Sequence, residues 1–352
     1  MKTDILIVGA GVAGLSLAAM LSKSGLSITL IDPNPLLTSI TDEYGLRASA
    51  INLASKHILM RAGVWNDIQA CRHGVYRDMH VWNTSGEIHF TAAECGQDQL
   101  GYIIENQVLQ TCLANRIQTQ DHIQVIEKVK ATRLTPLGDA VSVLLDNGER
   151  IKPRLIIGAD GANSWVRQAF GIACVEKPYD HLAIVANVKT EKPHQFTAWQ
   201  RFLSTGPLAL LPMSDPNSCS IVWSQDSAVA QSLLEDDEET FNTKITQSFE
   251  NKLSHISLAS TRKAFPIVMR HAAHYVEPHV ALVGDAAHTV HPLAGLGLNL
   301  GLQDVSLLAE LINATPHRFA ELSLLNTYSR QRRGENLKVS QTMSSLKWLF
   351  SG

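Results

Sequence analysis

The stretch Val280-Ala-Leu-Val-Gly-Asp-Ala-Ala-His-Thr-Val-His-Pro-Leu-Ala-Gly-Leu-Gly-Leu-Asn-Leu-Gly-Leu-Gln-Asp304 organises the chain. It opens as a short apolar strand, and the turn at Gly284 and Asp285 then presents a carboxylate. A glycine-bearing loop follows, and from Gly297 the apolar spacing becomes helical. Because the first turn of a helix favours negative charge, the segment predicts an anion site beside a carboxylate suited to polyol hydroxyls. An ordinary strand–loop–helix, with glycines for packing, is the alternative.

A second motif lies at the start of the chain, where a strand at residues 5–8 leads into Gly9-Ala-Gly-Val-Ala-Gly14 and a helix. Gly9 permits a tight turn, Gly11 lets a pyrophosphate approach the backbone, and Gly14 lets helix and strand pack closely. The next strand ends at Asp32, 18 residues after Gly14, where an acid accepts hydrogen bonds from ribose hydroxyls. The unit predicts dinucleotide binding, and a βαβ unit without a ligand is the alternative.

Composition indicates a globular protein of about two domains. The chain has 352 residues, of which 45% are hydrophobic and 18% are charged. A net charge of −3 argues against binding to nucleic acid. The five cysteines form no Cys-x-x-Cys pair, so we expect a reducing cytoplasm and no metal site. Residues 5–22 carry no charge, but their glycine spacing favours strand–turn–helix over a signal or membrane segment.

The segment from Val280 to Asp304 resembles the Gly-Asp motif of FAD-dependent aromatic hydroxylases. More narrowly, it is similar to the ubiquinone-biosynthesis hydroxylases that act on polyprenyl phenols. Their signature is His-Pro-Leu-Ala-Gly-Gln-Gly-x-Asn-x-Gly-x-x-Asp, which His291 to Asp304 follows except that Leu296 stands in place of the Gln. The Arg47 segment, the Asp160-Gly161 pair and residues 199–212 also match segments of the family.

The resemblance implies an α/β fold with a Rossmann-like FAD-binding domain of the para-hydroxybenzoate-hydroxylase type. A second, α+β substrate domain would be built on an antiparallel sheet. We expect the FAD-binding domain to comprise residues 1–70, 97–175 and 270–330, and the substrate domain to comprise residues 71–96 and 176–269. Alternation over residues 75–90, with Ser85 and Gly86 at the turn, predicts a hairpin in the substrate domain.

Residues 331–352 are expected to form a C-terminal helix, which is basic and amphipathic. A helix docked on the body and a helix that meets anionic lipid or a partner are the two interpretations. Family members usually continue for some tens of residues, so we also expect either a trimmed tail or a naturally short member.

The motifs and the resemblance together assign a cofactor site but no clear catalytic residue. His291 is a candidate general base, with a structural, hydrogen-bonded histidine as the alternative, and Pro292 would line the reactive face of the flavin. The predicted cofactor-binding residues are Gly9, Gly11, Gly14, Asp32, Arg47, Asp160, Gly161, Asp285, Pro292, Gly295, Gly297 and Asn299.

The implied activity is a single-component monooxygenase that uses FAD, NAD(P)H and O2. Reduced flavin would form a C4a-hydroperoxide and hydroxylate a polyprenyl phenol in ubiquinone biosynthesis. The alternatives are a hydroxylase of a small soluble aromatic, a prenyl-lipid reductase, and a non-catalytic prenyl-binding protein. We expect a cytoplasmic protein that contacts the inner membrane peripherally, with or without other quinone-biosynthesis proteins. The sequence is compatible with either a monomer or a homo-oligomer.

Overall fold

The computed structural model describes residues 1–138, 140–290 and 295–350. The strands are β1 (Lys2–Val8), β2 (Ile28–Asp32), β3 (Ala48–Asn52), β4 (Gly74–Tyr76), β5 (Asp78–Trp82), β6 (Glu87–Thr91), β7 (Gly101–Glu105), β8 (Ile123–Glu127), β9 (Ala131–Pro136), β10 (Val141–Leu145), β11 (Arg150–Gly158), β12 (Cys174–Thr190), β13 (Thr197–Leu203), β14 (Gly206–Pro212), β15 (Ser218–Asp226), β16 (Ile256–Leu258), β17 (Lys263–Ala272), β18 (Val276–Glu277), β19 (Val280–Leu282) and β20 (His288–Thr289). The helices are α1 (Val12–Met20), α2 (Leu53–Arg61), α3 (Trp65–Ala70), α4 (Asn106–Gln118), α5 (Trp165–Ala169), α6 (Ser227–Glu235), α7 (Glu238–Ser248), α8 (Leu296–Ala314) and α9 (Leu322–Phe350).

The first layer is a mainly parallel sheet in the order β18-β19-β11-β1-β2-β8, which β10 and β9 extend beside β11. Strand β1 pairs in parallel with both β11 and β2, so Ile5 faces Leu155 on one side and Ile28 on the other. All three residues are buried. Helices cover both faces of such a sheet, which explains why its strands read as unbroken apolar runs. The predicted Rossmann-like unit is confirmed.

The second layer is a nine-stranded sheet in the order β20-β17-β12-β15-β14-β13-β5-β6, with β16 paired to β12. Its pairings are antiparallel except for β13 beside β5. One face packs on α6 and α7 through a cluster that includes Ile184, Trp223 and Phe241. The opposite face looks towards the first layer. The predicted hairpin forms, and Val81 pairs with Ile88 across it.

The boundaries between the two large sheets differ from the domain boundaries that we predicted from the sequence. Strands β12 and β17 belong wholly to the antiparallel sheet, although predicted boundaries fall inside both. Strand β20 joins the same sheet from within the range assigned to the FAD-binding domain. Strand β4, assigned to the substrate domain, instead pairs with β7 in a small sheet with β3. Alternation cannot locate these limits, because the first half of β12 is mostly exposed and shows no clear pattern.

Helix α9 begins at Leu322, nine residues before the predicted position at 331. A short 3₁₀ turn at Pro316–Arg318 separates it from α8. Its first half docks on the body, where the buried Tyr328 hydroxyl donates to the Leu282 carbonyl over 2.7 Å. For this part of the helix the docked interpretation is therefore correct. Within the described residues, no helix has the length and apolar character needed to cross a bilayer.

Candidate active site

A cavity of about 700 Å³ lies between the two layers. The glycine loop after β1, the loop after β11, the turn after β19 and the start of α8 form one wall. Strands of the antiparallel sheet form the other wall. The cavity therefore brings together segments that lie nearly the whole chain apart in sequence.

The glycines around the cavity fall into two groups. A Cβ on Gly9, whose φ is +108°, would lie 2.4 Å from the Ala159 carbonyl oxygen, and one on Gly14 would lie 2.0 Å from the Gly9 oxygen. These two positions need glycine because protein backbone fills the space. A Cβ on Gly11, Gly161 or Gly297 would meet no atom within 4 Å, and all three line the cavity. The second group leaves room for a ligand at its backbone.

Asp32 holds the glycine loop in place. Its Oδ2 accepts from the Ala10 N–H over 2.7 Å, and its Oδ1 accepts from the Asn34 N–H over 2.8 Å. The Asn34 side-chain amide also donates to Oδ1, over 3.2 Å. A carboxylate offers about four acceptor sites, so these three hydrogen bonds leave capacity for a ribose hydroxyl. That Asp32 binds the cofactor stays a prediction. The structure shows that Asp32 also fixes the backbone of the glycine loop.

Asp285 carries a carboxylate that accepts no hydrogen bond from any described residue and opens onto the cavity. Asp285 is exposed towards the cavity, while the surrounding protein partly desolvates its carboxylate; this raises its pKa, against the opposing charges of His288, Arg47 and Arg270. Its acceptor lone pairs face the cavity, where the hydroxyl of a ligand can take the place of solvent. This fits the predicted contact with a polyol hydroxyl.

A partly buried ion pair positions the Arg47 segment. Glu105 accepts from the Arg72 Nε over 2.6 Å and from the Gly45 N–H over 2.5 Å. The Asn106 N–H donates to the Arg47 carbonyl over 2.9 Å. The Arg47 guanidinium then lies 5.7 Å from the ring centroid of Phe265, on the cavity wall. No sequence motif indicated this pair, because Arg72 lies 33 residues away from its partner Glu105.

The start of α8 is pressed against β3. Gly295 has a φ of +61°, and a Cβ there would lie 3.0 Å from the Ala50 Cβ. The buried Asn299 amide donates to the Ala50 carbonyl over 2.7 Å, and its Oδ1 accepts from the Asn52 N–H over 3.1 Å. The Asn299 side chain therefore fastens the helix, which points its free N–H groups at the cavity. His291 and Pro292 lie outside the described residues.

Asp160 caps α5 with its side chain. Its carboxylate accepts from the Ser164 hydroxyl over 2.5 Å and from the Val166 N–H over 3.0 Å. Burial raises the pKa of Asp160, and these hydrogen bonds oppose the rise. Its neighbour Gly161 faces the cavity instead. We therefore expect this motif to meet a cofactor through backbone, while its carboxylate shapes the loop.

Arg167, a few residues after the Asp160-Gly161 pair, forms no ion pair with a described residue. It is buried and donates to the carbonyls of Ala162 and Ala286, each over 2.8 Å. The two acceptors belong to the loop that carries Gly161 and the turn that carries Asp285. Arg167 thus joins two segments of the cavity wall.

A buried polar network lies behind the Asp285 turn. Asp304 accepts from His288 Nε2 over 2.6 Å, from Arg332 Nε over 2.8 Å and from the Gly284 N–H over 3.1 Å. Burial disfavours the Asp304 charge, but the charges and hydrogen bonds of His288 and Arg332 outweigh it and hold its pKa below the ordinary value. Asp304 is the last residue of the sequence motif. Its partner Arg332 lies on α9, outside the motif, so the motif could not indicate this contact.

The sheet side of the cavity is uncharged in its centre. Three of its polar groups escaped the sequence analysis: Gln200 on β13, and Ser220 and Ser224 on β15. The Ser220 Oγ is buried without a hydrogen-bond partner among the described residues. Alternation along β13 and β15 could have placed these side chains on one face, but not at a cavity.

The FAD-binding-domain family matches residues 2–342 of the chain. The chain is 36% identical to the 3-demethoxyubiquinol 3-hydroxylase of Escherichia coli K12, over 97% of this chain and 88% of that protein. It is 34% identical to the mitochondrial ubiquinone biosynthesis monooxygenase COQ6 of Homo sapiens, over 99% and 85%. The chain belongs to the FAD-dependent hydroxylase family of ubiquinone biosynthesis. The predicted family, cofactor and enzyme class are confirmed.

The fold agrees with this membership. The crystal structure of PqsL from Pseudomonas aeruginosa, in complex with 2-aminobenzoylacetate, superposes with a TM-score of 0.84. The alignment covers 97% of this chain and 94% of PqsL at 21% identity. At this identity the likeness supports the fold alone, and the two-layer architecture of the hydroxylase family is thereby confirmed.

Proposed function

We propose that this hydroxylase acts on the ring of a neutral polyprenyl phenol, using FAD, NAD(P)H and O2. The observation that carries the proposal is the sheet wall of the cavity, which is built from small and apolar side chains without a charge at its centre. The names of the similar proteins, a demethoxyubiquinol hydroxylase and a ubiquinone biosynthesis monooxygenase, support a quinone precursor as substrate.

FAD would lie along the opposite wall. The backbone at Gly11 and the start of α1 would meet the pyrophosphate, with Asp32 at the ribose and Asp285 at the ribityl hydroxyls. Arg47, Gly161, Gly295 and Gly297 supply further contacts, while Gly9, Gly14, Asp160 and Asn299 shape the segments that make them. Bound FAD supplies the activation of O2.

The protein's own contribution is placement and electrostatics. The free N–H groups at the start of α8 would stabilise negative charge on the ring edge that faces them. The apolar sheet wall would hold the phenol ring over the same place and exclude water from the reacting atoms. The polar groups of Gln200, Ser220 and Ser224 are the described acceptors and donors on this wall that could orient a phenol hydroxyl.

The positions of the arginines in and near the cavity argue against an aromatic acid as the substrate. In the substrate domain, Arg201 points to the other face of the sheet, where it donates to the Ser248 carbonyl and to Glu250, each over 2.6 Å. Of the described cavity-lining cations, Arg270 already pairs with Glu176 over 3.1 Å, and Arg47 lies beside Phe265. Because this proposal assigns Arg47 to FAD, neither cation would remain free for an anionic substrate.

A polyprenyl substrate resides in lipid, so the proposal includes peripheral contact with the inner membrane on the cytoplasmic side. Assembly with other quinone-biosynthesis proteins, or between copies of the chain, belongs to the same proposal. Co-sedimentation of the purified protein with anionic vesicles, compared with neutral ones, tests the membrane contact directly.

The substrate is tested with paired phenols that share one ring and differ in a single substituent, a prenyl chain or a carboxylate. We expect FAD-loaded protein to couple NAD(P)H oxidation to incorporation of one ¹⁸O atom from ¹⁸O2 into the prenylated phenol. Equal or better turnover of the carboxylated phenol would overturn the proposal. An unchanged lipid-quinone pool in a strain lacking the gene would also overturn it.

A further inference from the structure

The face of the antiparallel sheet that lines the cavity continues past the cavity to the edge of the sheet. Ala198 on β13 pairs with Met79 on β5, and Met79 pairs with Phe90 on β6. In the next row, Gln200 pairs with Val81. These pairings place Phe90, on the edge strand, on the same face as the residues that line the cavity.

The continuation is apolar throughout. Val81 and Phe202 are buried together with Met79 packed against them, and Met79 itself lines the cavity. Beyond them, Ile88 and Phe90 are 42% and 50% exposed. We name these five residues (Met79, Val81, Ile88, Phe90 and Phe202) the edge track. The track leads without an intervening charge from the cavity wall to solvent.

Apart from Trp82, which is buried in the cluster beneath α6 and α7, the other face of the same hairpin is polar. His80 bonds to Glu87 over 2.8 Å, and His89 lies 3.5 Å from Asp78. Edge strands in soluble proteins usually carry charged or interrupted surfaces, because an exposed apolar edge invites aggregation. Two large apolar side chains kept exposed on such a strand indicate a ligand for that face.

We propose that the edge track binds the isoprenoid tail of the substrate and leads it out of the cavity. This inference rests on the proposed function, since it assumes a phenol with a long apolar tail. The ring would lie over the sheet wall near Gln200, and the tail would cross Met79 and Val81 before it leaves at Phe90. Apolar contact along this face strengthens binding with each carbon that it removes from water.

The test compares two phenols with the same ring, one without a tail and one with a long prenyl tail. In the Ile88→Lys/Phe90→Lys double variant, we expect kcat/KM to fall at least tenfold more for the long-tailed phenol than for the tail-less one. His89→Lys places the same charge on the opposite face of β6, and Val175→Lys places it on a distant side chain that is 69% exposed. Both controls should retain wild-type selectivity.

The proposal for the edge track would be overturned if kcat/KM fell equally for the two phenols or fell for neither. The same selective fall in a control variant would also overturn it. A second measurement does not depend on turnover: a polyprenyl phenol with a diazirine at the tail should label the peptide that contains β5 and β6. Label found only elsewhere also overturns the track. Labelling of this peptide by a phenol that the wild-type enzyme never hydroxylates would instead uphold the track and reject the proposed activity.

Discussion

Replacement of Asp285 by asparagine is expected to weaken FAD binding while it stabilises the protein without FAD. The carboxylate opens onto the cavity and accepts no hydrogen bond from a described residue. Hydrogen bonds to a charged acceptor contribute more than those to a neutral one, and their loss costs roughly 1–3 kcal/mol. The dissociation constant for FAD should therefore rise about 5- to 150-fold.

The opposite effect on the FAD-free protein follows from the pKa. Burial raises the pKa of Asp285 in the folded state, so folding favours the protonated form. Its contribution to stability is then fully present below the unfolded pKa, about 3.9, and is lost as the pH rises through the folded value. At pH 7 the charged carboxylate carries a small cost in the empty fold, which solvent reduces because the side chain is exposed, and asparagine removes this cost.

Two measurements check both parts. Quenching of FAD fluorescence gives the dissociation constant, and thermal unfolding of FAD-free protein at pH 7.5 and pH 4.5 gives stability. We expect a higher Tm for Asp285→Asn at pH 7.5 and a smaller difference at pH 4.5. Asp98→Asn, at an exposed carboxylate, is the matched control. An unchanged FAD affinity, or a lower Tm at pH 7.5, would refute the reasoning.

Four further substitutions test the framework. Gly11→Val should abolish the FAD absorbance near 450 nm but leave the Tm nearly unchanged, because the new side chain enters the part of the cavity that FAD would occupy. Gly14→Val should instead yield unfolded protein, because a Cβ at this position would lie 2.0 Å from the Gly9 oxygen. Asp304→Asn should cost about 3–5 kcal/mol in urea unfolding at pH 7, as expected for a broken buried pair. Since the pKa of Asp304 is lowered in the fold, wild-type stability should fall as the pH drops from about 3.9 through that lowered value, and the variant should lack this part of the dependence. Arg72→Met should lower FAD affinity severalfold by loosening the segment that Glu105 holds, and calorimetry with FAD checks it; an affinity equal to wild type would reject that link.

The parts of the fold that could be predicted are those specified by local pattern. The parallel strands read as apolar runs because both of their faces are covered, and the helix after Gly297 has a continuous apolar stripe. The β5–β6 hairpin was predictable from alternation around Ser85 and Gly86. The limits of β12 were not, because its exposed half carries no periodic signal.

The location of the site could be predicted from the sequence, but the contacts of the individual side chains could not. Asp32 and Asn299 were expected to touch the cofactor, yet both hold neighbouring backbone. The partners of Glu105 and Asp304 lie 33 and 28 residues away, on elements whose packing no motif encodes. Contacts of this kind depend on tertiary structure, so a motif can indicate that a residue matters without indicating what it contacts.

The most consequential contacts are those that hold the Asp285 turn from both sides. Arg167 donates to the Ala286 carbonyl on one side, and Asp304 accepts from the Gly284 N–H on the other. These two contacts fix the backbone on either side of Asp285 and so present its side chain to the cavity. Because the turn is held by a buried network, little backbone ordering would remain to be done when a ligand binds. If Asp285 accepts from FAD hydroxyls, as proposed, the network would thereby contribute to cofactor affinity without touching the cofactor.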